Sequence, residues 1–132
     1  MLDIKNFSKS YGEKKVVDSL SISVQPGDIY GFIGANGAGK TTTIKAVVGI
    51  HDFEDGSITI NGHSIKEEPV ICKKVMAYIP DNPDLYEHMT GLQYINFIAD
   101  LFEIPTKIRR ERIQKYGDLF DMTDHLSGII SS

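Results

Sequence analysis

Gly34-Ala35-Asn36-Gly37-Ala38-Gly39-Lys40-Thr41 fits the spacing G-x-x-x-x-G-K-[ST] of a phosphate-binding loop. The chemistry asks for these residue types. Glycines let the backbone curl closely around an anion and adopt positive φ where a side chain would strain. Successive N–H groups then point inward as a nest for phosphate oxygens. A helix opening near Gly39 adds its positive end. Lys40 is placed to neutralise the β- and γ-phosphates, and the Thr41 hydroxyl to hold Mg²⁺. The flanks supply the context such a loop needs. Asp28-Ile29-Tyr30-Gly31-Phe32-Ile33 reads as a short apolar strand, and Thr41 to Val48 as a helix with Gly49 as its cap.

Upstream, Leu2 to Phe7 alternates apolar and polar and predicts a half-buried strand. Ser8 to Lys15 reads as a polar turn around Gly12, and Val16 to Val24 as a second strand. Tyr11 lies in that turn. Spacing alone leaves it open between an aromatic covering a sheet edge and a face for stacking a purine base. Downstream, Ser57–Ile60, Asn61-Gly62 and His63–Ile65 spell a hairpin with a type I′ turn. A short helix is expected from Pro69. Val75-Met76-Ala77-Tyr78-Ile79 is a continuous apolar run and predicts a buried strand of a parallel sheet. Asp81-Asn82-Pro83-Asp84 follows at its carboxyl end, the side on which open α/β sheets bind ligands.

From Thr90, a candidate N-cap, the character turns helical. Tyr94, Phe97, Ile98, Leu101 and Phe102 keep helical spacing up to Pro105. Thr106 to Phe120 predicts a second helix with Ile108, Ile113, Tyr116 and Phe120 inward, and Met122 to Ile130 a third, weaker helical segment. Lys107, Arg109, Arg110, Arg112 and Lys115 form a basic run, read either as a solvated face or as a docking surface for an acidic partner or a phosphate backbone.

Composition narrows the class. The chain has 132 residues, 41% hydrophobic and 24% charged, which suits one globular domain or part of one. A formal net charge of −4 argues against a whole-surface nucleic-acid binder. The single cysteine, Cys72, excludes an internal disulfide framework. His51, His63, His88 and His125 lack metal-site spacing and read as solvated or core-edge side chains. No apolar run approaches the length of a membrane span.

The order of strand, Tyr11 turn, strand, Gly-Ala-Asn-Gly-Ala-Gly-Lys-Thr-Thr, hairpin, apolar strand, acidic loop and helical stretch resembles the N-terminal part of the ATP-binding subunit of an ABC transporter. Ile33–Thr42 and Gly56–Gly62 lie close to that family's pattern. The resemblance implies an α/β fold: a phosphate-loop NTPase core of the ABC type, in part, with an N-terminal antiparallel β portion and the start of an α-helical subdomain. The expected division is residues 1–88 for the core and 89–132 for the helical start. It implies ATP with Mg²⁺ as ligands. Tyr11 would then stack on adenine. Asn36, Gly37, Ala38, Gly39, Lys40, Thr41 and Thr42 would hold the phosphates, with Thr42 at the α-phosphate. Thr41 and Asp81 would face the metal.

Two departures from the family pattern matter. Asp81 stands where the family usually has a Gln that touches Mg²⁺ and the attacking water; some bacterial export-type members resemble this variant. Also, the family's signature motif, its catalytic Glu and its switch His lie beyond Ser132, and Leu126-Ser127-Gly128, followed by Ile129-Ile130, reads as a helix tail rather than the signature. The 132 residues alone are therefore expected to lack substantial ATPase activity and to self-associate through exposed sheet edges. The implied partners are a transmembrane permease and a second ATP-binding subunit packed head to tail, with no nucleic acid. The implied location is the cytoplasmic face of the cell membrane. The alternatives are a soluble ABC-type ATPase of translation or DNA repair and a truncated nucleotide-binding or dimerising module. No N-K-x-D motif points to guanine.

Overall fold

The computed structural model describes residues 1–80, 86 and 88–130. The chain divides into two compact units, Met1–Tyr78 and Ile79–Ser132.

The first unit is built on an antiparallel sheet of β1 (Leu2–Tyr11), β2 (Lys14–Val24), β3 (Asp55–Ile60) and β4 (His63–Ser64), in the order β2-β1-β3-β4. Strand β1 runs further than the sequence predicts: the expected turn at Ser8–Lys15 shrinks to Gly12-Glu13, with Gly12 at φ 59°. The reason lies in the serines. Ser19 N donates to Ser8 Oγ and Asn6 N to Ser21 Oγ, each at 2.9 Å. Hydroxyls thus replace ladder bonds where the register between β1 and β2 shifts, and a polar stretch stays in the sheet. Asn6 sits at φ 49° in that irregularity. The bulge also explains the core. Ile4 and Phe7 are three apart, which in a regular strand puts them on opposite faces, yet they are 3% and 0% exposed. Both join Val17, Ala46, Phe53, Ile58, Ile65 and Cys72 in one cluster, with Phe53 edge-on to Phe7 at 5.3 Å.

Asn61 and Gly62 carry φ of 51° and 85°, as the type I′ turn requires. Helix α1 (Lys40–Val47) ends as foreseen at Gly49. Gly49 N donates to Ala46 O at 3.1 Å and Ile50 N to Lys45 O at 2.8 Å, the two bonds of a Schellman closure. Helix α2 (Pro69–Lys74) starts on its proline, and Cys72 packs fully buried with its thiol 3.3 Å from His63 O.

The two strands predicted at 28–33 and 75–79 do not form. Neither segment belongs to a ladder among the described residues, and Ile29, Ile33 and Ile79 are almost wholly exposed. Apolar side chains make a segment suited to a buried strand, but a strand exists only with a hydrogen-bonding neighbour. None of the described residues supplies one.

The second unit holds α3 (Gly91–Leu101) and α4 (Thr106–Leu119). The N-terminus of α3 is fully satisfied. Thr90 Oγ1 accepts from Gln93 N at 3.2 Å, and Thr90 N donates to Gln93 Oε1 at 2.9 Å, a capping box. Gly91 N and Leu92 N donate to Gly128 O and Leu126 O at 3.2 and 2.7 Å. The third helical segment predicted over 122–130 is therefore mostly absent. It is a 3₁₀ turn, Thr123–His125, and then a stretch whose carbonyls are spent capping α3, with Thr90 and Ile129 paired in a bridge. Both long helices close on non-glycine residues, Glu103 at φ 54° and Asp121 at φ 55°, and α3 stops before Pro105.

Of the expected inner positions on α4, Ile113 is half-buried, while Ile108, Tyr116 and Phe120 are exposed. The close approach is instead at buried Gly117, against Thr123 and Leu126. In the basic run, Arg109 turns inward. Its guanidinium donates to Asp100 Oδ1 at 2.5 Å, Asn96 Oδ1 at 3.1 Å and Ile104 O at 3.1 Å, tying α4 to α3. Lys107, Arg110, Arg112 and Lys115 remain a solvated face.

Candidate functional site

The loop from Gly34 to Gly39 is shaped by its own backbone. Ala38 N donates to Ala35 O at 3.2 Å, and Gly37 and Gly39 adopt φ of 84° and 86°. Gly39 is the N-cap of α1 and is wedged against β2. A Cβ there would lie 2.7 Å from a Val17 methyl and 2.9 Å from Val16 O. Below it, Thr43 is 2% exposed, and both its N–H and its hydroxyl donate to Gly39 O at 2.9 Å. The consecutive threonines thus divide by helical rotation. Thr43 anchors the loop from inside, Thr42 is partly exposed, and Thr41 stands open. Sequence reasoning missed the Thr43 anchor. Its signal is the spacing of four from Gly39, which puts it on the buried face of the first turn.

No side chain caps the start of α1, and its first turn contains no acidic residue. The opening N–H groups of Lys40, Thr41 and Thr42 therefore present donors and the positive end of the helix to whatever enters the loop. Lys40 Nζ donates to Gly34 O at 2.7 Å and Ala35 O at 2.8 Å, so the ammonium lies over the loop rather than out in solvent. Uncapped N–H groups at a helix N-terminus and one cation make a site for a polyanion, and the Thr41 hydroxyl adds a hard oxygen donor of the kind Mg²⁺ takes.

Asn36, Gly37 and Ala38 are exposed along the loop. Tyr11 is placed elsewhere. It ends β1, and its hydroxyl bonds His51 Nδ1 at 2.8 Å, just past the C-terminal closure of α1. Lys9 Nζ lies 5.5 Å from the Tyr11 ring centroid and is held by Glu54 Oε1 at 2.6 Å. The hydrogen bond from Lys9 keeps the Glu54 carboxyl below the usual carboxylate range. His51, read from sequence as a solvated or core-edge histidine, is thus tied to a candidate site residue 40 positions away. No local pattern signals such a pair. Asp81, the second residue expected at the metal, lies outside the described residues.

A glycine loop opening a helix, with a lysine folded over it, defines a phosphate-loop nucleotide-binding domain. Residues 17–130 match the ABC transporter family. The chain belongs to that family. It is 34% identical over 126 residues to the uncharacterized ABC transporter ATP-binding protein YhcH of Bacillus subtilis, covering 96% of this chain and 40% of that protein. It is 33% identical to the ABC-type transporter ATP-binding protein EcsA of the same organism, covering 96% of this chain and 51% of that one. A solved structure described as the ATP-binding subunit of an ABC transporter superposes with a TM-score of 0.91 at 30% identity, over 98% of this chain and 54% of the other. The chain thus spans 40%, 51% and 54% of the length of these three relatives. Those matches place the chain in an α/β phosphate-loop NTPase fold.

Proposed function

We propose that this chain supplies the ATP-gripping half of an ABC transporter's energy-coupling subunit. The observation that carries the reading is the α1 start: uncapped N–H groups, Gly37 and Gly39 at positive φ, and Lys40 over the loop. In this reading, Asn36 to Lys40 enclose the β- and γ-phosphates, Thr42 meets the α-phosphate, and Tyr11 offers its ring to adenine. Thr41 holds Mg²⁺, and Asp81 is the second residue assigned to the metal. The metal neutralises phosphate charge. No residue of these 132 is assigned to activating water, so hydrolysis is proposed for the whole protein and not for this stretch alone. The whole protein would act as a head-to-tail pair on the cytoplasmic face of a membrane, coupling ATP binding and hydrolysis to transport through a permease. Export is favoured only by the carboxylate at position 81.

Titration calorimetry with Mg·ATP tests the reading. Lys40→Ala removes at least one charged hydrogen bond, worth about 1.5–3 kcal/mol, and should weaken binding roughly 10- to 150-fold or more. Equal affinity in the two proteins would sink it.

The apolar segments at 28–33 and 75–79, which pair with no strand among the described residues, support one further expectation. They should pair with a second copy or swap between copies. Light scattering at rising concentration should show dimers or larger species; a monodisperse monomer throughout would refute this.

A further inference from the structure

We propose that His51 is a positioning residue for base recognition: it holds the Tyr11 ring ready as the platform on which adenine stacks. The proposal rests on the ATP-binding reading above. Tyr11 ends β1 beside the Gly12-Glu13 turn and is 48% exposed, so nothing in the core fixes its ring. A polar contact does so. Its hydroxyl meets His51 Nδ1 at 2.8 Å, and the two rings stand at 80° with centroids 6.1 Å apart. His51 therefore touches the hydroxyl end of the phenol, and with Lys9 Nζ over one face of the ring the base would stack on the other. Lys9 adds a second, weaker constraint 5.5 Å from the ring centre.

His51 is itself anchored, with its N–H donating to Lys45 O at 3.2 Å in the closure of α1. One eight-residue helix thus carries the phosphate loop at its N-terminal end and the tether of Tyr11 at the other. Such a helix is a stiff rod about 12 Å long. The spacing between phosphate grip and base platform is then set by a single rigid element rather than by a free side chain. An aromatic already held in place does not lose its rotamer freedom when the ligand arrives.

The test compares Mg·ATP with Mg·tripolyphosphate, which carries the phosphates and no base, by calorimetry on the 132-residue chain. His51→Ala should weaken Mg·ATP about three- to tenfold, the reach of one hydrogen bond, and leave tripolyphosphate unchanged. His51→Asn, which offers both an acceptor and a donor near the Nδ1 position, should restore most of the ATP affinity. Tyr11→Ala should cost more, about 5- to 150-fold for a lost base stack, and adding His51→Ala to it should cost nothing further. The proposal is overturned if His51→Ala binds ATP like the parent, if it loses tripolyphosphate equally, or if its loss adds to that of Tyr11→Ala. A parent protein that binds ATP no better than tripolyphosphate is a separate failure: it removes the base platform itself, and the role of His51 with it.

Discussion

Gly56→Ala should destabilise the first unit by about 3–5 kcal/mol, a large share of the roughly 5–15 kcal/mol by which a domain is stable. Gly56 lies in β3 opposite the irregular part of β1, where the register skips from Lys5↔Ser57 to Ser8↔Asp55. Its φ is +88°, and a Cβ placed on it would stand 2.5 Å from both Lys5 O and Asn6 O. Two costs combine. A non-glycine residue at that φ is strained by about 1–3 kcal/mol. Crowding adds a similar amount, because both obstacles are main-chain oxygens and cannot rotate away. Relief requires moving β1, and with it Ile4 and Phe7 of the buried cluster.

Gly62→Ala is the matched control. Gly62 has nearly the same φ, +85°, but nothing lies within 4 Å of its added Cβ. It should lose only the strain, about 1–3 kcal/mol. Urea unfolding followed through the sheet amides reads both. A Gly56→Ala loss no larger than that of Gly62→Ala would mean that β1 yields easily, and the bulge could not then be what fixes the core register.

The features legible in the sequence are those whose causes lie within a few residues. The loop from Gly34 to Thr41, the Asn61-Gly62 turn, the Thr90 cap and the Gly49 closure all formed as read, because each is set by backbone torsions and bonds inside one short window. The β1 bulge was not legible. It depends on Ser8 and Ser21 accepting from N–H groups 11 and 15 residues away. Tyr11 was visible as a candidate, but its partner His51 was not, since nothing local links them. Arg109 looked like one member of a basic face, and only the fold of α4 beside α3 reveals it as a tie. The segments at 28–33 and 75–79 show the opposite limit. Their apolar character was read correctly, but composition states an appetite for burial and not the presence of a neighbour.

Gly39→Ala should cut Mg·ATP affinity well beyond the loss in Gly37→Ala, which should be about 5- to 150-fold, although both glycines share the left-handed backbone at φ 86° and 84°. The difference is what surrounds them. A Cβ at Gly37 meets nothing within 4 Å, so Gly37→Ala carries backbone strain alone. At Gly39 it would meet the Val17 methyl at 2.7 Å and Val16 O at 2.9 Å. Gly39 also accepts both bonds from Thr43, so it cannot shift without loosening the first turn of α1. The loop would escape by abandoning the backbone shape set by Gly37 and Gly39 at positive φ, and affinity falls by the fraction of time the competent shape is lost. Val17→Ala introduced beside Gly39→Ala separates the obstacles. Removing the methyls relieves the side-chain clash but leaves the Val16 carbonyl and the torsional strain in place, so binding should recover only in part. Full recovery would show that β2 restrains the loop through Val17 alone. Wild-type affinity in Gly39→Ala itself would mean that the phosphates are held without the backbone geometry seen at the start of α1.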